Sequence, residues 1–381
     1  MDFKCRAPWE GLFVNPDGDF RVCCAGGSLG NLNNNTIEEL LEDGPLATLR
    51  NDMLTKGSSD YCKGCHEQHK RTGKSLRDLY DCNTDPLQED TFIPKSLDVR
   101  WHNTCQLRCN YCNPEWSSAY ASWVGKHIKV SATDWQTGLL NYLKNTCDKQ
   151  ITDLQLLGGE PLLMRENLDL LDLTTEKTRL GVVTNLSVKN LDDFPVYKKL
   201  TDMAASWLVS FECIGDKFNY VRRNADWKIT EYNYKRLKQE AHKDSNVGIH
   251  YTYTLMSAFT LVETFDWLYS IEPDPKKNSS FISTLEFPPW LDVMNYPKEI
   301  KELAIQEIEA LQNKHGSYLN EKTTTSLTIL KKELTDRKGI CKYDALYQFK
   351  DEIKKWDQDH THTFEQLWPQ VYDIIQSYVS Y

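Results

Sequence analysis

The sequence predicts an α/β protein in which strand–helix units repeat around a parallel sheet, and three observations predict it. From residue 96 onward, short apolar runs alternate with longer segments of helical periodicity. The short runs are rich in Val, Ile, Leu and aromatic residues and are bounded by Gly, Asn and Pro. After PPW at 288–290 the alternation stops and the chain becomes helical.

The candidate strands are SLDVRWHN (96–103), ITDLQLL (151–157), RLGVVTN (179–185), SWLVSFE (206–212), NVGIHYTYTL (246–255) and ISTLEF (282–287). Ahead of them lies a loop-rich, cysteine-rich segment. It holds one good helix start, where Thr36 precedes IEELLEDG and Gly44 marks the end. The turn NPDGD predicts a hairpin with Cys23 on its return strand. TDPLQEDTFIPKS (84–96), polar and with two prolines, reads as a boundary. In the tail, KEIKELAIQEIEALQ spaces Ile300, Leu303, Ile305, Ile308 and Leu311 for a helix, and TFEQLWPQVYDIIQSYV predicts a second.

At 381 residues and 40% hydrophobic content, the chain can bury a large core. Its net charge of −10 gives no electrostatic footprint for nucleic acid. MDFKCRAPWEGLF has no basic segment followed by an apolar run, and no stretch approaches the roughly 18 apolar residues of a membrane span. A cytoplasmic protein is expected. Twelve cysteines in a reducing compartment point to metal or redox chemistry before disulfides.

Cys105, Cys109 and Cys112 follow the first of the six strands with C-x3-C-x2-C spacing. Loops leaving strand C-termini build the active sites of βα barrels. Three thiolates hold three corners of a four-iron cluster and leave the fourth iron open, as catalytic metal sites do. The bland alternative is three packed cysteines. With Tyr111 in the aromatic slot, C-x3-C-x-aromatic-C resembles the signature of the radical S-adenosylmethionine (radical SAM) superfamily, and the trailing NPEWSS resembles one branch of it. The resemblance implies a partial (β/α)6 TIM-like barrel and a [4Fe–4S] cluster on Cys105, Cys109 and Cys112. SAM would chelate the open iron and be cleaved reductively, giving a 5′-deoxyadenosyl radical that abstracts hydrogen from a substrate.

LQLLGGEPLL carries Gly158, Gly159, Glu160 and Pro161 at a strand end, where glycines admit a ligand close to the backbone. A plain turn with Pro161 opening a helix is the alternative. In the family this stretch faces the SAM amino group. The resemblance further implies SAM contacts at the next strand ends: Asn185 beside Thr184, then Ser210, Glu212 and Arg222, with Ser257 the weakest. Turn Asn and helix-face Arg residues also have ordinary structural explanations.

Cys5, Cys23, Cys62 and Cys65 precede the strands, and the C-x2-C pair serves zinc and iron–sulfur sites alike. C-x12-G-x4-C, a helix with Arg50 and the final C-x2-C resemble the SPASM auxiliary-cluster module or its one-cluster form, twitch. This implies a second [4Fe–4S] cluster on those four cysteines, at the front of the chain instead of its usual place behind the barrel. Adjacent strand residues point to opposite faces, so Cys23 and not Cys24 is the expected ligand.

The implied organisation is an auxiliary module over 1–90, a barrel over 91–298 and a helical region over 299–381. The implied activity is radical modification of a peptide or protein side chain, fed by a reductant such as a flavodoxin or ferredoxin. The alternatives are dehydrogenation of a small molecule and a zinc-stabilised scaffold without catalysis. Cys213 lies near the expected cavity, where a thiol could return a hydrogen atom, but a core thiol is the simpler reading. Cys82, Cys147 and Cys341 read as structural. The basic run HEQHKRTGKSLR reads as a solvated helix face, and His360 and His362 as an exposed pair in a polar loop.

Overall fold

The computed structural model describes residues 5–42, 44–73, 75–80, 92–126, 134–147, 149–272, 274, 278–285 and 287–379. Cys82 and most of the expected boundary at 84–96 lie outside the described residues. Contacts gather the chain into two compact units. The first comprises 1–106, 114–182 and 192–205, and the second 107–113, 183–191 and 206–381.

In the first unit, β1 (Gly11–Val14) and β2 (Asp19–Arg21) form an antiparallel hairpin, and β3 (Gly30–Asn31) pairs antiparallel with β2. The hairpin turns at NPDG, where Gly18 has φ +81° and donates to the Asn15 carbonyl at 2.9 Å. Cys23 lies two residues past β2, so the return strand is shorter than expected. β4 (Ser96–Val99) pairs parallel with β1 and with β5 (Asp153–Leu156), and β5 pairs parallel with β6 (Arg179–Thr184).

Alternation decides the two faces of these strands. Leu97, Val99, Leu154 and Leu156 are buried, while Asp98 and Gln155 alternate with them on the opposite face. Gly181, in register with Gln155, leaves room for the Gln155 amide, which a Cβ there would push aside. One side of the sheet is therefore apolar core and the other is polar.

In the second unit, β7 (Ala205–Ser210), β8 (Asn246–Tyr253) and β9 (Phe281–Thr284) run parallel in that order. All six expected strands exist, each followed by helical structure, as an α/β barrel-type succession requires. Their ends are shorter than the apolar runs, because ladder pairing stops before the residues that turn into loops.

The helix Lys298–His315 buries Ile300, Ile308 and Leu311, as expected, but Ala304 and Lys301 take the stripe in place of Leu303 and Ile305. Lys301 is tolerated inside because its Nζ donates to the carbonyls of Arg337 (2.6 Å) and Ile340 (2.5 Å), just beyond the helix Glu321–Asp336. That helix and Tyr343–Gln358 have no individual counterpart in the sequence expectations. The final stretch is two helices, Phe364–Leu367 and Pro369–Val379, divided where proline starts the second. Among the described residues, no helix is long and apolar enough to cross a membrane.

Candidate functional site

The loop leaving β4 is built from backbone contacts on the first unit's side. Cys105 N–H donates to Ser118 Oγ at 3.1 Å, and the same hydroxyl donates to the Cys105 carbonyl at 3.2 Å. The Gly158–Gly159 turn presses directly on this loop: Glu160 N–H donates to the Thr104 carbonyl at 2.8 Å. A Cβ on Gly159 would overlap that same oxygen, and Gly158 adopts φ +122°. Glycine is thus required at both positions before any ligand is considered. Glu160 is fully buried and caps the short 3-10 turn Pro161–Leu163, its Oε1 accepting from Leu162 N–H at 3.2 Å. Pro161 opens that turn, so the plain-turn reading of GGEP holds locally.

The second unit carries the other two cysteines of the loop. Cys109 is buried, and Arg222 Nη1 donates to its Sγ at 3.9 Å. Arg222 Nη2 donates to Glu212 Oε2 at 2.7 Å, Tyr111 OH donates to the same oxygen at 3.4 Å, and the guanidinium lies 5.5 Å from the Tyr111 ring centroid. Glu212 is wholly buried, and its Oε1, like Arg222 Nε, is buried without a hydrogen-bond partner among the described residues. Two unsatisfied polar atoms on one buried ion pair are costly and mark a place where a polar ligand would be accommodated. Four expected residues, Cys109, Tyr111, Glu212 and Arg222, are therefore together.

Burial pushes the Cys109 thiol up to about 11, with Arg222 opposing. It pushes Cys112 up to about 12, and the neighbouring Cys109 adds to the effect. Thiols in such surroundings are poor anions until a cation arrives, and coordination to a metal deprotonates them. Burial also lifts Glu212 above the ordinary carboxylate range while Arg222 pulls it back.

The remaining expected contacts are more modest. Asn185 is buried, and its Oδ1 accepts from Ser187 N–H at 2.9 Å in an Asx turn. Ser210 ends β7 and stands in register with His250 on β8. Ser257 is absorbed in its own turn, with Thr254 N–H donating to its Oγ at 2.7 Å.

His250 was not singled out by motif. It stacks on Phe281 at 5.8 Å between ring centroids, and its Nε2 meets Ser283 Oγ at 2.9 Å. Desolvation, with Arg222 adding, depresses its pKa to about 4. The unfolded chain then binds the extra proton between pH 6.5 and 4. Stability should therefore fall as pH drops through that window, and His250→Gln should flatten the fall in unfolding measurements.

In the first unit, Cys5, Cys23, Cys62 and Cys65 line one small cavity with Ala7 and Tyr80. Burial pushes Cys23 up to about 12, and Cys24, Cys62 and Cys65 raise it further. Cys62 is pushed up to about 11 by burial and by Cys65. The four thiols thus face a shared space, and their chemistry fits an iron–sulfur cluster or zinc. Among the described residues, no three His, Cys, Asp or Glu side chains already stand in coordinating geometry. Cys24 is exposed and does not line this cavity; its charged neighbours are Asp98, Arg100 and Arg21. Arg50 Nε donates to the Pro8 carbonyl at 3.0 Å, pinning the helix Pro45–Lys56 to the segment that follows Cys5.

Cys213 and Cys147 are fully buried, as core thiols are, and Cys341 is half-buried. His360 and His362 are half-buried instead of exposed, because His360 packs edge-on against Tyr220 at 5.2 Å and bonds the His362 backbone.

Residues 5–66 match the model of the SPASM iron–sulfur cluster-binding domain. The comparison with curated proteins finds no match. Among solved structures, the chain is similar to "Native anSMEcpe with bound AdoMet". That likeness is at 13% identity and TM-score 0.40, over 60% of this chain and 61% of that one. It is also similar to "Crystal structure of Streptococcus suis SuiB bound to S-adenosylmethionine", at 13% identity and TM-score 0.39, over 83% and 69%. The chain thus spans less than two thirds of the first of these. The match over residues 5–66 agrees with the SPASM-like module expected at the front of the chain, and the C-x3-C-x-aromatic-C loop follows a parallel strand, as the sequence led us to expect.

Proposed function

We propose that this chain is a radical SAM enzyme acting on a peptide or protein side chain. One observation carries the reading: the C-x3-C-x2-C loop leaves β4 directly, with the Gly158–Gly159 turn seated against its first residues through Glu160 N–H and the Thr104 carbonyl, 2.8 Å apart. Cys105, Cys109 and Cys112 would hold the catalytic [4Fe–4S] cluster and leave one iron for SAM. When bound, cluster and SAM together supply a 5′-deoxyadenosyl radical that takes a hydrogen atom from the substrate.

The chain's own residues position and shield. Gly158, Gly159, Glu160 and Pro161 would receive the SAM amino group, and Asn185, Ser210, Glu212 and Arg222 its ribose and carboxylate. Arg222, donating towards Cys109 Sγ, would lower the electron density on that sulfur, and the burial of Cys109 and Glu212 would keep water out. Cys5, Cys23, Cys62 and Cys65 would hold a second [4Fe–4S] cluster, with a flavodoxin or ferredoxin as electron donor. We take residues 1–90, 91–298 and 299–381 as auxiliary module, barrel and helical region. The four-thiol cavity also suits zinc, which keeps a scaffold role open for the front segment.

Anaerobically reconstituted protein should carry about eight irons and matching sulfide per chain if both sites hold four-iron clusters. About four irons with one zinc would reassign the front site. With dithionite and SAM it should release 5′-deoxyadenosine, and Cys105→Ala should release none. Undiminished release from Cys105→Ala would end the proposal.

A further inference from the structure

On its polar face, β4 leads into a guanidinium that is firmly framed yet only half used. Asp98 takes one edge of Arg100, accepting from Nε and Nη2 at 3.0 Å each. Phe13 and Trp116 lie 4.7 and 4.9 Å from its central carbon. An arginine has five N–H donors in a fixed plane and two edges that each fit a carboxylate. Among the described residues, nothing bonds the second edge, formed by Nη1 and the outer N–H of Nη2. The side chain is 16% exposed, so that edge can be reached. An ion pair of purely structural value needs neither the two ring contacts nor an open fork.

We propose that Arg100 anchors a carboxylate of the substrate through this open edge. The inference rests on the function proposed above and narrows its substrate class. The surroundings agree with it. A Cβ at Gly158, in the turn proposed for SAM, would stand 3.5 Å from Arg100 Cβ. Cys24, one residue beyond the cavity-lining Cys23, has Asp98, Arg100 and Arg21 as its charged neighbours. Arg100 thus lies against the turn proposed for SAM and close to Cys24, the chain neighbour of the proposed ligand Cys23. Because Asp98 already neutralises the guanidinium, the open edge suits a monoanion: a dianionic phosphate would meet the Asp98 charge as well.

The test uses the full chain labelled with 5-fluorotryptophan, with the Trp116 fluorine signal assigned by its loss in Trp116→Phe. Acetate is titrated at constant ionic strength, with acetamide and inorganic phosphate as separate arms. Acetate should shift the Trp116 signal saturably and acetamide should not. Arg100→Lys, which keeps the charge but loses the fork, should weaken acetate about tenfold or more. Asp98→Asn should strengthen it about tenfold by removing the competing charge. The Asp98→Asn result decides the matter if Arg100→Lys fails to fold. No saturable shift with acetate, an equal shift with acetamide, tighter binding of phosphate than of acetate, or no gain in Asp98→Asn would each overturn the proposal. The readout needs neither cluster nor SAM. Failure here with 5′-deoxyadenosine release intact removes this inference alone.

Discussion

Arg222→Met is expected to destabilise the metal-free protein by about 3–5 kcal/mol in urea unfolding, because it strands a wholly buried Glu212 carboxylate. In the native chain the pair is 2.7 Å apart, with the Glu212 carboxylate wholly buried and only 5% of the Arg222 side chain exposed. Once Arg222 is gone, Glu212 escapes the cost by taking up a proton. Its folded pKa, already raised by burial, then rises further above the unfolded value. The folded state binds more protons than the unfolded one, so the variant should be most stable in acid and lose stability as pH rises through the carboxylate range. Replacing both members, Arg222→Met with Glu212→Leu, should recover most of the loss, since an apolar pair of similar volume has no charge to desolvate. If the single and double variants unfold alike, the pair is not the buried electrostatic unit described here. The double variant also separates stability from function. It should fold, yet lack the donor near Cys109 and the carboxylate beside Tyr111, and so release little 5′-deoxyadenosine.

Gly159→Ala is expected to have the next largest effect. The added Cβ would overlap the Thr104 carbonyl, a backbone atom that cannot rotate away, so the turn or the loop into Cys105 must move. Overpacking of this kind typically costs about 1–3 kcal/mol. The functional loss should exceed what that number suggests, because Glu160 N–H to the Thr104 carbonyl is the hydrogen bond that seats one segment on the other. We expect a lowered thermal midpoint and iron content near that of Cys105→Ala. Gly138→Ala is the control: it lies inside the helix Trp135–Thr146, its Cβ meets nothing within 4 Å, and it should be neutral or stabilising by up to about 1 kcal/mol. Equal behaviour of the two alanine variants would show that position 159 is an ordinary turn.

Much of the candidate site was legible because its residues are adjacent in the chain or spaced by a motif. Cys105, Tyr111, Cys109 and Cys112 share eight residues, GGEP stands intact at a strand end, and the front cysteines follow a recognisable order. Glu212 and Arg222, ten residues apart, were reachable only through the family pattern, and their mutual 2.7 Å contact was not legible at all. Arg100 escaped notice because an arginine in a strand run looks like any exposed cation. Only the register Phe13↔Asp98 between β1 and β4, with Trp116 folded back from the cysteine loop, turns it into a framed fork. Lys301 shows the same limit from the other side. A lysine on a helix reads as solvent-facing until two carbonyls from a distant segment claim it.

By itself, the sequence determined the six strands from residue 96 onward, the helical character of the tail and the cysteine spacings. These follow from local periodicity, side-chain alternation and backbone sterics, all of which act over a few residues. The tertiary structure alone decided which buried charges are paired, which thiols share a cavity and which edge of Arg100 remains open. Those outcomes depend on distances between segments far apart in the chain, and in a desolvated interior an ångström of separation decides whether a polar group is satisfied or stranded.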